Sequence, residues 1–448
     1  MKRNRLPGLA LAACLYGMVL LPQSASAMKA SRVTGAEGPS AVAESSSGFS
    51  GGDEAALRRM AEYARGLTFT STPSFEMIAA SNVMFYATNG VPAEEQQQED
   101  EQERKSALLG VWMGLLPEDV DLKKVNRTLM ESEVAGFYST DTKGIYVNRD
   151  AMTNEEGAIE PEVALVHELI HALDDQHGYI DTNAYEKSDI IFARECMTEG
   201  SATLGMIDAL APLLARQMSD PLGDGREFLL VNSLLSSDVF KAVLDHEFAG
   251  LVVEGLDNKT NGIPEVIMRR VIEPYVSGFL FCQSVCFEWG LDGLDHALRK
   301  PPQTMRQVLE PDVYWAWRAW PERIEIPTNG LPALPGWSCL MSDALGVSES
   351  AICFDCLLGE GAGRPATQGW RGDRLAFFGN AAGRHVLVWA SAWDSSWAAR
   401  RFEHAYRATL ARRFEATFTA ASGSDSLAWT GKTGRAGRIL RIGGRGEQ

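Results

Sequence analysis

Apolar residues recur at helical spacing over much of residues 54–290 and change to strand-like runs only near 375. Residues 54–67 and 74–87 each read as a helix, and a further helix ends near Leu115, Leu116 and Pro117. Two short β-prone runs, 135–138 and 145–147, flank the turn formers Asp141 and Gly144 and predict a hairpin. Val163, Val166, Leu169, Ile170 and Leu173 give the segment to His177 one apolar side, with Pro161 suited to its first turn and Gly178 to its end. Helical spacing returns over 189–214, 227–240 and 263–290. Seven prolines between Pro301 and Pro335, interleaved with tryptophans, predict an extended connection. Beyond it, 375–378 and 385–393 read as strands, 396–414 as an amphipathic helix and 427–442 as a terminal pair of strands. The expected class is α+β: a mainly helical domain over 53–325 with a small hairpin, followed by a small α+β domain over 326–448.

The first 27 residues have the make-up of an export signal. Lys2, Arg3 and Arg5 precede an apolar run from Leu6 to Leu21, and Ala25-Ser26-Ala27 forms a small-residue cleavage site. A secreted or periplasmic chain beginning at Met28, with no membrane span after cleavage, is the expectation. Leu11-Ala12-Ala13-Cys14 resembles a lipoprotein box, but the apolar run continues past it, so lipidation at Cys14 is the lesser reading. Residues 28–52, rich in Ser, Gly and Ala, read as a disordered linker. A formal charge of −17 supplies no surface for phosphates and argues against a nucleic-acid partner. The acidic run Glu94–Glu103 lacks the ligand spacing of a calcium loop and reads as a solvated loop or an exposed helix start. Six cysteines follow residue 28, an even number suited to disulfides in an oxidising compartment. Cys353 and Cys356 could form half of a zinc knuckle, but no second such pair exists.

The chemistry is concentrated at His167-Glu168-Leu169-Ile170-His171. Helical residues four apart differ by about 40° and roughly 6 Å of rise, so both imidazoles leave one face and can share a metal. Glu168 is turned by about 100° from His167, where it can take a proton from water but is poorly placed as a ligand. Either Glu195 or Glu199, one turn apart on the 189–214 helix, could complete the site. Glu199 is favoured because Gly200 follows it and would let that helix approach the histidine helix closely. Tyr275, after Pro274, is a candidate oxyanion donor, or alternatively a core residue at helical spacing. The hairpin before the histidine helix offers a sheet edge to which a peptide could add as a strand.

These residues resemble the gluzincin group of metallopeptidases, and more narrowly a set of exported bacterial proteins with the pattern His-Glu-Leu-x-His-Ala-Leu-x-Asp-Gln. The likeness includes Ala135–Tyr138, Glu199–Thr203, Pro274–Gly278, the stretch from Pro301 to Tyr314, and Gly369–Arg374. It implies a zincin-like helical domain that binds Zn2+ through His167, His171 and Glu199. It also implies Glu168 as the general base for metal-activated water, acting on a protein or peptide substrate. The chain departs from the pattern at Gln303–Gln307 and at Glu310-Pro311. Thr203 stands where thermolysin-like enzymes carry an acidic residue that orients a ligand histidine, which leaves Asp174, Asp175 or Glu195 for that task. The alternative reading is a zincin-like binding protein of the cell envelope without proteolysis.

Overall fold

Helix α1 (Gly51–Arg65), helix α5 (Pro161–Gln176) and helix α6 (Ser188–Gln217) are the first three of the elements that build the site. They belong to a computed structural model that describes residues 51–88, 93–133, 136–149, 161–180, 187–217, 263–315, 320–328, 335–420, 426–432 and 434–440. The export signal, nearly all of the linker and the helix expected over 227–240 lie outside the described residues. Leu165, Val166, Leu169, Ile170 and Leu173 of α5 are fully buried, against Leu57, Ala61 and Ala64 of α1 and Ala202 and Ala209 of α6. An amphipathic helix ordinarily keeps one wet face; α5 is buried from Ala164 to Asp174, polar residues included, because neighbours cover it on several sides. Gly178, at φ 71°, ends the turn after α5 in a conformation that other residues rarely adopt.

Helix α7 (Glu265–Arg299) crosses α6 at backbone contact. A Cβ on Gly200 would lie 2.2 Å from the carbonyl carbon of Gly278, and one on Gly278 would lie 2.1 Å from the carbonyl oxygen of Cys196. Gly200 therefore admits α7, not α5 as the sequence suggested; the glycine that faces α5 is Gly205, against Ile170. Because neither backbone can give way locally, Gly278→Ala should cost about 1–3 kcal/mol. Denaturant unfolding of this variant against wild type measures it, and an unchanged midpoint would refute the crossing.

Strand β1 (Ser74–Ile78) pairs in parallel with β3 (Gly144–Asn148), and β2 (Gly136–Ser139) pairs antiparallel with the other edge of β3. The expected hairpin is present. The helix expected over 74–87 is not: only α2 (Val83–Thr88) is helical, after a single 3₁₀ turn. Phe75 and Met77 pack inward while Ser74 and Glu76 are exposed, a period of two that decides for strand. Helix α3 (Ala93–Met113) shows the acidic run to be a helix start, and α4 (Leu122–Glu133) follows it.

The connection after α7 contains two short helices, α8 (Met305–Leu309) and α9 (Pro311–Trp315), where the prolines suggested an extended path. The Thr304 hydroxyl caps α8 by accepting from the Gln307 amide. Strand β4 (Trp337–Asp343), helices α10 (Gly346–Leu358) and α11 (Gly363–Thr367), and strands β5 (Trp370–Asn380) and β6 (His385–Trp393) then form an antiparallel β4-β5-β6 sheet with its covering helices. Helix α12 (Ser396–Phe414) leads to a second antiparallel sheet of β7 (Thr417–Ala420), β8 (Ser426–Thr430) and β9 (Ala436–Leu440). The molecule is α+β, as the patterning indicated.

Val347, Ile352 and Trp370 share one hydrophobic cluster with α6 and α7. The Asp343 carboxylate accepts from the amide and hydroxyl of Ser188, the first residue of α6. The strand-rich part thus anchors the N-terminus of the helix that carries Glu199.

All six described cysteines are free thiols, which corrects the expectation of disulfides. Cys282 and Cys286 stand one turn apart on α7, and Cys353 and Cys356 lie within α10. Neighbouring helical turns hold Cβ atoms about 5–6 Å apart, farther than a disulfide spans. No described helix is long and apolar enough to cross a membrane.

Candidate metal centre

Helices α5 and α6 bring His167, His171 and Glu199 together in the core, at 1%, 4% and 0% exposure. One ligand atom from each lies within 4.8 Å of the others. Nε2 of His167 is 3.1 Å from Oε2 of Glu199, and Nε2 of His171 is 3.3 Å from Oε1. The two rings stand 4.6 Å apart, almost perpendicular, so that a single carboxylate addresses both. This convergence is the only such metal-capable group among the described residues.

Buried polar atoms are normally paired, yet Nε2 of His171 and Oε1 of Glu199 have no hydrogen-bond partner despite their proximity. Both atoms belong to the group whose ligand atoms lie within 4.8 Å of one another, where a cation could engage them together. Two imidazoles and one carboxylate are the donor set of a catalytic zinc site with three protein ligands. The residues fit such an ion.

Burial disfavours a charged His171, but Glu199, with Glu168 and Asp174 beyond it, outweighs burial and raises the imidazole to about 9. Burial likewise opposes ionisation of Glu199, and the two histidines overcome it to hold the carboxylate at about 2. His167 is lowered by burial. The Glu199 carboxylate is therefore stable in this pocket, with the His171 imidazolium as its counter-charge.

Glu168 is buried next to this group but is not part of it. Its Oε2 accepts the backbone N–H of Tyr138 at 2.8 Å. Burial, aided by Glu199, raises its carboxyl to about 7, with His171 and the Tyr138 amide pulling the other way. Tyr138 lies on β2, an outer strand of its sheet, and its N–H points to Glu168 instead of to β3. The sheet edge and the non-ligand carboxylate thus meet at one residue. No side-chain pattern marks that amide, because every non-proline residue carries one.

Glu195, the rival third ligand, is not part of this group and lies 4.0 Å from Arg270. Arg270 in turn pairs with Glu349 at 2.8 Å. Burial raises the Glu195 carboxyl, with Arg270 opposing. Tyr275 is buried in the α6–α7 core with its ring 5.9 Å from that of His167.

None of Asp174, Asp175 and Glu195 orients a ligand histidine: Nδ1 of His167 and of His171 has no hydrogen-bond partner among the described residues. Asp174 and Asp175 hold other elements instead. Asp174 accepts from Arg65 and Ser201. Asp175 accepts the Tyr138 hydroxyl at 2.5 Å and Lys143 Nζ at 2.6 Å, which ties the hairpin to α5. Gln176 accepts from the Thr70 and Ser71 amides and donates to the Ser71 carbonyl. Three consecutive residues near the end of the histidine helix therefore fasten four parts of the fold to it: α1, α6, the hairpin and the segment at Thr70 and Ser71.

Comparison with known proteins adds one finding. A family model described as Domain of unknown function (DUF8575) matches residues 339–447, the strand-rich part that begins within β4 and excludes the metal-capable group. No curated protein and no solved structure matches the chain.

Proposed function

We propose that the chain is an exported zinc metallopeptidase of gluzincin type. The observation that carries this reading is the buried convergence of His167, His171 and Glu199 beside a glutamate that is not a ligand. Both histidines, through Nε2, and the Glu199 carboxylate would hold the zinc ion. When bound, it would supply Lewis acidity that acidifies water and polarises a carbonyl oxygen.

The chain's own contribution begins with Glu168. It is buried next to the ligand set without being part of it, the place of a group that takes a proton from water and later gives it to the departing amine. The Tyr138 amide fixes its orientation. A peptide lying beside β2 would pass next to that carboxylate. Tyr275, whose ring stands beside His167, remains the candidate for stabilising an oxyanion. Export rests on residues 1–27, whose basic start, apolar run and small-residue site have the make-up of a signal.

The test is a broad peptide-library digest of the purified protein before and after metal removal by a chelator. Cleavage should fall to background on chelation and return with about one equivalent of zinc. Cleavage that persists in metal-free protein would overturn the proposal. Zinc at one per chain with no peptide cleaved would favour the binding-protein reading instead.

A further inference from the structure

The metal-capable group is backed by a polar chain, buried at Arg65, Asp174 and Ser201, that reaches both helices contributing to it. Arg65, at 1% exposure on the last turn of α1, donates from Nε to Oδ1 of Asp174 at 2.7 Å and from Nη2 to Oδ1 of Asp295 at 2.8 Å. The second Asp174 oxygen accepts the Ser201 hydroxyl at 2.6 Å. On the other side, Asp295 accepts the Tyr179 hydroxyl at 2.9 Å, and Arg299 donates to that hydroxyl at 2.7 Å. Asp174 is three residues after His171 on α5, and Ser201 is two after Glu199 on α6. The Asp174–Ser201 bond therefore joins the helix that carries both histidines to the helix that carries the carboxylate, within one turn of a ligand on each.

We infer that Asp174, held by Arg65 and bonded to Ser201, is a positioning residue that sets where Glu199 stands relative to the two histidines. Three features favour this over a purely stabilising role. Hydrophobic packing already holds α5 to α6 through Leu165, Ile170 and Ala202, so cohesion does not require a buried charge. Neither ligand imidazole has a partner at Nδ1, so no acceptor behind the rings orients them. Both oxygens of the buried Asp174 carboxylate are engaged from defined directions, which fixes a register that apolar contact leaves free to slide.

The inference rests on the metal reading above, and its test separates the two. Zinc affinity is measured by competition titration, with Co2+ absorption as an independent report on the ligand set. The proteins compared are wild type, Ser201→Ala, Ser201→Thr, Asp174→Asn and, as a control in another cluster, Val83→Ala. Ser201→Ala removes the link but keeps the Arg65–Asp174 pair, so it remains informative should Asp174→Asn fail to fold. It should bind zinc about 10–100-fold more weakly and show an altered cobalt spectrum. Ser201→Thr, which keeps the hydroxyl, should recover most of that loss. Val83→Ala should unfold more easily while its zinc affinity stays within about threefold of wild type. Folded Ser201→Ala with wild-type affinity and spectrum would overturn the positioning role and leave the metal reading standing. Wild type that takes up no metal would overturn the metal reading, and this inference with it.

Discussion

Glu199→Gln should empty the metal site, and Glu195→Gln should leave it full. The two residues are one helical turn apart on α6, but the structure gives them different partners. The Glu199 carboxylate lies within 3.3 Å of both imidazoles and is completely buried. Glu195 lies 4.0 Å from Arg270. Glutamine at 199 keeps the shape but removes the negative charge that the two histidines hold in place, and it offers a single weak oxygen donor. The loss in zinc affinity should exceed the ~100-fold ceiling typical of residues outside the ligand set. At 195 the same change removes only a long ion pair, because Arg270 retains Glu349 at 2.8 Å. Metal content of the two variants after dialysis against a weak chelator is the measurement. Loss of metal from Glu195→Gln with retention in Glu199→Gln would reverse the assignment.

The part of the site that repeats locally was legible in the chain. His167, Glu168 and His171 are tied by helical geometry alone, since residues one and four apart on a helix have fixed angular relations whatever surrounds them. Glu199 depends on how α6 packs, which the local sequence shows only in part. A small residue does follow the carboxylate, but Gly200 makes room for α7, while α5 meets α6 at Gly205.

Three features had no local signature. The Tyr138 amide acts through its backbone. Arg65 is 109 positions from Asp174 and reads in sequence as an ordinary basic residue at a helix end. The parallel pairing of Ser74–Ile78 with β3 joins segments roughly 70 residues apart, and a five-residue strand carries too little periodicity to compete with the helical composition after it. The cysteines failed for a related reason. Their even number was read from a compartment argument, whereas pairing depends on Cβ separations that only the helices fix.

Glu168→Gln should retain one zinc per chain and lose hydrolysis by at least about 10²–10⁴-fold. His167, His171 and Glu199 are untouched by the change. The glutamine oxygen can accept the Tyr138 amide as the carboxylate does, so the side chain keeps its place at the sheet edge. Burial already presses this position toward a neutral form, since it raises the carboxyl to about 7, and an amide is neutral throughout. Folding and metal content should therefore stay near wild type. What is lost is the capacity to accept a proton and return it, a capacity that no rearrangement of an amide restores. Metal analysis, thermal unfolding and the peptide digest, run on the same preparation, separate these effects. A variant that holds zinc and cleaves as fast as wild type would remove Glu168 from the mechanism. If neither protein cleaves and both hold zinc, the histidine helix serves as a scaffold for binding, and the carboxylate at the sheet edge acts as a hydrogen-bond acceptor and nothing more.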